Sequence, residues 1–597
     1  QVDVMGLQAT LYLNGQECDI REIQMLRPRD IEKIEYHDAP SGKYAKDKLV
    51  VNFITKQYRY GGYVQADGLQ MIGYDHGDYN VATNYVKGNN SYTVFAGANY
   101  SHVDGTETWN NENYQFPQSL FDRESYSKNS YQNHQEYMQF RYQNQKGKRY
   151  WVGKFTLLNL STPRNASSGF AKESTETDVF SNIRKKSLSP KIDLNANLPL
   201  SKNQTLTLGV HGKYSANSYH RLYQEQPFEA MTDEDENALS FQLSAIYNYF
   251  SQKHSLSVEL FHYHDVWNAD YSGNCELWQH LWKGESLAFF SYNFQASRRL
   301  SLKTRIGFDW LQYHLHGDNS FSQLSPRINT NVQYQLNKGM LLWSFNFVNS
   351  NHGMDVINRA VIQVNSHMME KGMPELKKSH DINTYLYYMG CFNRLSVSAI
   401  GQFRYNHHHV TDDYYLDEAN RKIVKTYSNG GNAQYYSAIL ALQYKLCKFA
   451  NLLGDIRYSH AEVKTTWSKH NNNLTGNLGL NMFMGDFALK PYLHFGKKSL
   501  DEAALVISKT PIDYGMSCSY SRGNLYVELQ AVSPFKKQEK RYWLDLPIYS
   551  YSKSIKDQTA SQYASIKVAY SFDFGRKTQK VEKDVNKNIN SSLLRVE

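Results

Sequence analysis

No run of about 18 consecutive apolar residues occurs in the sequence, which excludes a transmembrane helix. Proline is scarce, at 13 of 597 residues. No Pro/Gly/Ser-rich linker or block of one charge sign cuts the chain into ordinary domain-sized pieces. Cysteine is scarcer still: Cys18, Cys275, Cys391, Cys447 and Cys518 lie far apart and are odd in number. That pattern is neither a CxxC zinc site nor a dense disulfide framework, so the reading is isolated thiols. Walker, Rossmann and HExxH patterns are missing, and no Ser/His/Asp or paired-carboxylate arrangement follows from spacing. The expectation is therefore no enzyme and no cofactor. The excess of positive charge, 66 Lys+Arg against 57 Asp+Glu, is spread along the whole length and reads as a solvated surface, not a nucleic-acid partner. The chain opens at Gln1 without a basic and apolar leader, so any signal peptide is expected to have been removed.

Aromatic residues, by contrast, are plentiful. They make up 14% of the chain and include 47 Tyr, while mean hydropathy is only −0.64. Such a chain is too polar for a helical membrane protein and too aromatic for a disordered one. The aromatics are ordered by period two. In Ser565–Gly575, Ile566, Val568, Tyr570, Phe572 and Phe574 share one face, with Ser565, Lys567, Ala569, Ser571 and Asp573 on the other. The same alternation recurs around Leu206–Tyr214, Phe241–Tyr249, Leu300–Trp310 and Leu395–Tyr405. Each run has roughly 10–13 residues, near the length a tilted strand needs to cross a bilayer.

Connections alternate as well. Tight polar turns stand at Lys87–Asn90, Gln145–Lys148, Ser201–Gln204, Ser251–His254, Asn337–Gly339 and Arg522–Asn524. Longer segments, read as loops, cover 103–134, 161–187, 217–238, 267–285, 350–380, 408–432 and 533–560. Short turns at one end and long loops at the other are the layout of a membrane β-barrel. The fold class is therefore all-β: a transmembrane antiparallel barrel of about 22 strands over 58–575, wide enough to need a plug. Its polar face should line a wet lumen and its aromatic face should meet outer-membrane lipid.

Residues 1–57 read differently, as strand, short helical turn (Arg21–Leu26), strand and strand, a βαββ piece too small to bury a core alone. Residues 576–597 read as a polar tail. Here a resemblance emerges. "LRPRDIEKIEYHDAPSGKYAKDKLVVNFITK" (Leu26–Lys56) resembles the C-terminal half of the plug of TonB-dependent outer-membrane receptors. Tyr570-x-Phe572-x-Phe574-Gly575 resembles their closing strand, and "VSPFKK" (Val532–Lys537) their penultimate region. The sequence departs from that family in lacking the first half of the plug and the TonB-contacting segment, and in placing Lys46-Asp47-Lys48-Leu49 where small residues are usual. Trimming of the N-terminal part is the expectation; a naturally reduced plug is the alternative.

The resemblance implies uptake of a scarce solute into the periplasm, driven by a TonB-type inner-membrane protein. The solute would be a siderophore, haem, a metal complex, a small glycan or a peptide. The alternative is a non-transporting barrel that docks a surface lipoprotein or another barrel. Arg27, Arg29, Glu32, Lys33 and Glu35 are the plug charges expected to meet the barrel wall. Three groups are candidates for binding. His407, His408 and His409 offer imidazoles, with His407 and His409 as the metal pair. His352, His367, Met368 and Met369 mix imidazole with thioether. Trp267, Trp278 and Trp282, with Tyr271 and His280, could stack on a planar or sugar ligand.

Overall fold

The computed structural model describes residues 2–4, 7–13, 16–18, 31–37, 50–55, 60–318, 320–350, 353, 355–556 and 562–576. The expected helical turn at 21–26, the charges Arg27 and Arg29, the side chain of Glu32, His352 and the tail beyond 576 lie outside these residues.

From Tyr60 onward every strand pairs antiparallel with its neighbour in the wall, and the last, Tyr563–Arg576, pairs with the first, Tyr60–Ile72. The result is a closed barrel of 22 strands. The seam is tight. Gly62 lies under the ring of Phe574, where a Cβ would come within 2.2 Å of it. The short turns fall where the polar tetrapeptides predicted them, with Gly88, Gly147 and Gly523 supplying the positive φ that a two-residue hairpin demands.

Alternation places the apolar face outward. Ile566, Val568, Tyr570, Phe572 and Phe574 are all exposed, whereas Ser565 is buried on the lumen side. Without a second layer to cover them, such residues form a lipid-facing belt rather than a protein core. Leu188, Ile192, Leu194 and Leu200 mark the belt on one strand, and Leu239, Phe241 and Leu243 on another. Above Leu239 the outward positions become Asn237 and Asp235, so the belt ends there. A lipid-side charge should be costly. Leu243→Arg near the middle of the belt is expected to destabilise the barrel by about 2–4 kcal/mol. Urea unfolding in liposomes measures this; Gln242→Arg, on the lumen side, should change little.

The strands do not stop at the belt. Asn90–Phe116 has 27 residues and Ser119–Lys146 has 28, joined by a two-residue tip. Most segments expected to be loops (103–134, 161–187, 217–238, 267–285, 408–432) are instead the far halves of long hairpins. The reason is that the period-two pattern continues through them with polar residues on the outward side. Six neighbouring strands have 14 residues or fewer: Phe487–His494, Asp513–Arg522, Leu525–Val532, Tyr563–Arg576, Tyr60–Ile72 and Asp75–Lys87. Above them the wall is completed by two extra hairpins, Lys497–Asp501 with Val506–Thr510 and Glu539–Asp545 with Tyr549–Lys556. The second joins the long strand at Glu107–Tyr114.

At the N-terminus, Leu7–Leu13, Ile31–His37 and Val50–Thr55 form strands of a small separate sheet. Leu7–Leu13 pairs parallel with Val50–Thr55, which pairs antiparallel with Ile31–His37. Asn52 Nδ2 donates to Glu35 Oε2 at 2.8 Å, and Lys33 pairs with Glu35 at 2.6 Å.

Candidate functional site: the closed mouth

The expected wet lumen is not open at the long-hairpin end. Inward-facing residues of the hairpin extensions meet across the mouth in an apolar core: Tyr114, Phe116, Tyr414, Ile423, Val463, Leu500, Leu505, Leu544 and Tyr549. At belt level the inward positions are mostly Ser, Asn, Gln and charged residues, with two apolar clusters around Phe95 and Leu158 and around Leu342 and Tyr387. Above it the two extra hairpins bring Leu500, Leu505 and Leu544 to the inside, where they join residues of distant strands, a contact that alternation along one strand does not reveal.

Through this core runs the segment 353–378. Val361–Gln363 pairs with Met368–Lys371, and Met368–Glu370 adds a parallel strand to Ile423–Lys425. The segment is pinned to walls from several sides. Arg221 donates to the carbonyls of Gln363 and Val364, both at 2.6 Å. Asn358 Nδ2 donates to the Tyr271 hydroxyl at 2.6 Å, and the Tyr313 hydroxyl to the Pro374 carbonyl at 3.0 Å. At its foot, Lys378 pairs with Asp309 at 2.9 Å, both fully buried.

Charge is buried here in matched groups, as a low-dielectric site requires. Arg123 lies 2.7 Å from Glu112 and 3.0 Å from Glu225. Lys425 sits 3.4 Å from both Glu370 and Asp412. Burial raises the Glu370 and Asp412 carboxyls above their ordinary range, opposed by Lys425. Burial alone would lower Lys425, but Asp412 and Glu370 raise it further. The acidic run Asp233–Glu236 alternates between the two faces of its strand. Glu234 and Glu236 are buried inside, at 2% and 1% exposure.

Burial pushes Glu234 up to about 8, against the hydrogen bond that the Tyr271 hydroxyl donates to it at 2.7 Å. Below its ordinary value of 4.5 the carboxyl is protonated in folded and unfolded chains alike. Between there and about 8 the folded state keeps a proton that the unfolded state has released, so rising pH weakens the fold through this group. One such group contributes a slope of at most about 1.4 kcal/mol per pH unit. Glu234→Gln, which preserves the acceptor, should flatten that part of a pH series of melting temperatures. It should also raise the melting temperature at pH 8.

The candidate residues are dispersed by strand geometry. Trp267 is buried inside, packed with Leu281, Leu311, Tyr313 and Ile357. Trp278 and Trp282 point outward on the neighbouring strand, where Trp278 stacks on His280 and Trp282 on His264. The five residues read as one stacking platform therefore lie on opposite faces. The His407–His409 pair is separated as well. A bulge with His408 at φ 56° pairs His407 with Asn432 and His409 with Gly431, consecutive positions on the partner strand. His407 is exposed, its ring 4.0 Å from that of His408 and Nδ1 2.7 Å from Asn432 Oδ1. Burial lowers His409, which has Glu502 and Arg404 as neighbours. Among the described residues no cluster of three or more His, Cys, Asp or Glu could hold a metal. Met368 and Met369 are buried, and His367 Nε2 contacts Glu173 Oε1 at 2.7 Å. Arg123, Glu112, Glu225, Lys425, Asp309 and Lys378 escaped sequence reasoning. For Arg123, Glu225 and Lys425 the only signal was a charged residue in a segment beyond the belt; Asp309 stands on the inward side of the Leu300–Trp310 run, and Lys378 lies outside the strands.

No protein-family model matches the chain, and no curated protein matches it. Solved structures do. The copper transporter OprC superposes with a TM-score of 0.61 at 10% identity, over 94% of this chain and 90% of that one. The ferric yersiniabactin uptake receptor FyuA from Yersinia pestis gives 0.59 at 10%, over 94% and 89%. The FrpB iron transporter from Neisseria meningitidis gives 0.55 at 8%, over 95% and 91%. Likeness at this identity establishes architecture: the chain has the 22-strand barrel fold of the TonB-dependent outer-membrane receptors.

Proposed function

We propose that the protein is an outer-membrane transporter that captures a scarce solute at the long-hairpin end and releases it at the other. In this reading the long hairpins are extracellular and both termini are periplasmic. Residues 1–57 form the C-terminal part of a plug seated in the lumen, where Arg27, Arg29, Glu32, Lys33 and Glu35 meet the wall. A TonB-type protein supplies the energy. The observation that carries the proposal is the closed mouth. A barrel of 22 strands would otherwise be an aqueous hole, and here it is shut by a folded segment held through polar and ionic contacts that can rearrange. Saturable binding of one member of a panel of ferric siderophores, haem, copper complexes, oligosaccharides and peptides, with uptake abolished by a protonophore, is the expected result. No binding and no uptake across the panel would remove the proposal.

The apolar packing of the same mouth favours a second reading, a non-transporting barrel that docks a surface lipoprotein or another barrel. Stoichiometric copurification of such a partner, without any solute bound, would support it.

A further inference from the structure

The outer face of the wall carries a groove of about 540 Å³ just above the belt. Arg184, Lys186, Ser218, His220, Asp233 and Asp235 line it. All six share the outward parity of the exposed belt residues Leu188, Tyr214 and Leu239 on the same strands. Register fixes the layout. Lys186 and Asp235 both pair with Ser218, one on each side, and Arg184 and Asp233 flank His220 in the same way. The basic pair therefore forms one wall, the acidic pair the other, and Ser218 the floor. Two strand spacings, about 10 Å, separate the walls.

The fold makes little use of these charges. Arg184, Lys186 and Asp235 are exposed and form no ion pair among the described residues, and Asp233 takes only His220, at 2.6 Å. Asp235 stands directly opposite Asp270, which is also exposed, on the next strand. Like charges facing each other weaken a strand pair, and Arg184 beside Lys186 repels in the same way. Cations on one wall and anions on the other are complementary to a ligand that carries an anion next to a cation.

Height decides what presents such a ligand. Lys186 stands one step, about 7 Å along the strand, above Leu188 on the same face. A lipid whose chains lie against Leu188, Tyr214 and Leu239 lifts its headgroup to the level of the groove.

We infer that this groove binds a membrane lipid whose headgroup joins a phosphate to a primary ammonium through a two-carbon bridge. The phosphate accepts from the Arg184 fork and the Lys186 ammonium, and the lipid's own N–H groups donate to Asp235, with Asp270 on the next strand. The inference goes beyond the transport reading and is independent of it, since it needs only that the belt meets lipid.

Native mass spectrometry of the full chain in detergent tests it. The probes are phosphatidylethanolamine, phosphatidylglycerol and phosphatidylcholine with identical acyl chains. Phosphatidylethanolamine should bind about ten-fold tighter than either, because phosphatidylglycerol lacks the cation and the choline cation has no N–H to donate. Arg184→Gln/Lys186→Gln should weaken phosphatidylethanolamine by about ten-fold. Asp235→Asn/Asp270→Asn should also weaken it and abolish its preference over phosphatidylglycerol, a change of selectivity that a merely disturbed strand would not produce. Both variants should keep the heat-modifiable gel mobility of the unaltered chain. Equal binding of the three lipids, or unchanged phosphatidylethanolamine binding in either variant, would overturn the inference. Displacement of the lipid by equimolar soluble glycerophosphoethanolamine would overturn the assignment to the membrane.

Discussion

Replacing Arg123 by methionine is expected to open the mouth. The guanidinium is 5% exposed and stands between two carboxylates that are themselves buried, Glu112 and Glu225. The surrounding hydroxyls cannot substitute for it. Tyr114 and Tyr549 already donate to Glu112 Oε1, each at 2.8 Å, and Tyr223 to Glu225 Oε2 at 2.8 Å. Removing the cation leaves two uncompensated charges in low dielectric, and losses of about 3–5 kcal/mol accompany such a change. The barrel below is held by its own ladder, so the loss should emerge as local opening rather than global unfolding. Hydrogen exchange over 107–126 and 219–229 should accelerate by two to three orders of magnitude while the belt strands stay protected. The triple variant R123M/E112Q/E225Q should regain much of the protection, because no orphaned charge remains. Unaltered exchange in R123M would mean that the cluster does not hold the mouth.

Asp309→Asn should have a comparable effect at the other end of the closing segment. Asp309 binds Lys378 at 2.9 Å and also pairs with Arg327, which keeps Glu285 as a second partner at 3.3 Å. Beyond Asp309, Lys378 feels the charge of Glu285 but makes no second ion pair among the described residues. Its ammonium is fully buried, and asparagine offers it a dipole in place of a charge. The expected loss is again about 3–5 kcal/mol. Because Lys378 is the foot of the segment, the residues released should be 355–378, including the contacts of Asn358 with Tyr271 and of Pro374 with Tyr313. Limited proteolysis should cut there first. Asp309→Asn/Lys378→Met should recover protection, which separates a missing ion pair from a disturbed strand.

The two variants act on one device from different walls. If both free the segment, the mouth is a closure with two latches, and a transporter would have to release both to admit a solute.

Much of the architecture could be read without coordinates. The polar turn at Gln145–Lys148 and the alternation in Ser565–Gly575 are local patterns. Each follows from what a two-residue hairpin and a two-faced strand require. The extensions were misjudged because polar outward residues made 103–134 resemble a loop. Phe121 kept the inward parity of its strand, but Tyr114 faces inward only because a bulge at Gly105 shifts the parity from odd to even positions. The separation of His407 from His409 was not legible for another reason. Nothing in a run of three histidines announces that the middle one adopts a left-handed φ, and that single residue sends its neighbours to opposite faces.

Taken by itself, then, the sequence determined the strand period, the position of the short turns, the even strand number and the side that meets lipid, because these depend on neighbours one to four residues apart. Only the tertiary structure decided that the mouth is shut and which carboxylates share a cation. Those contacts join residues separated by tens to hundreds of positions, such as Glu112 with Tyr549. Closing a curved wall brings them together, and no local pattern along the chain encodes where it will do so.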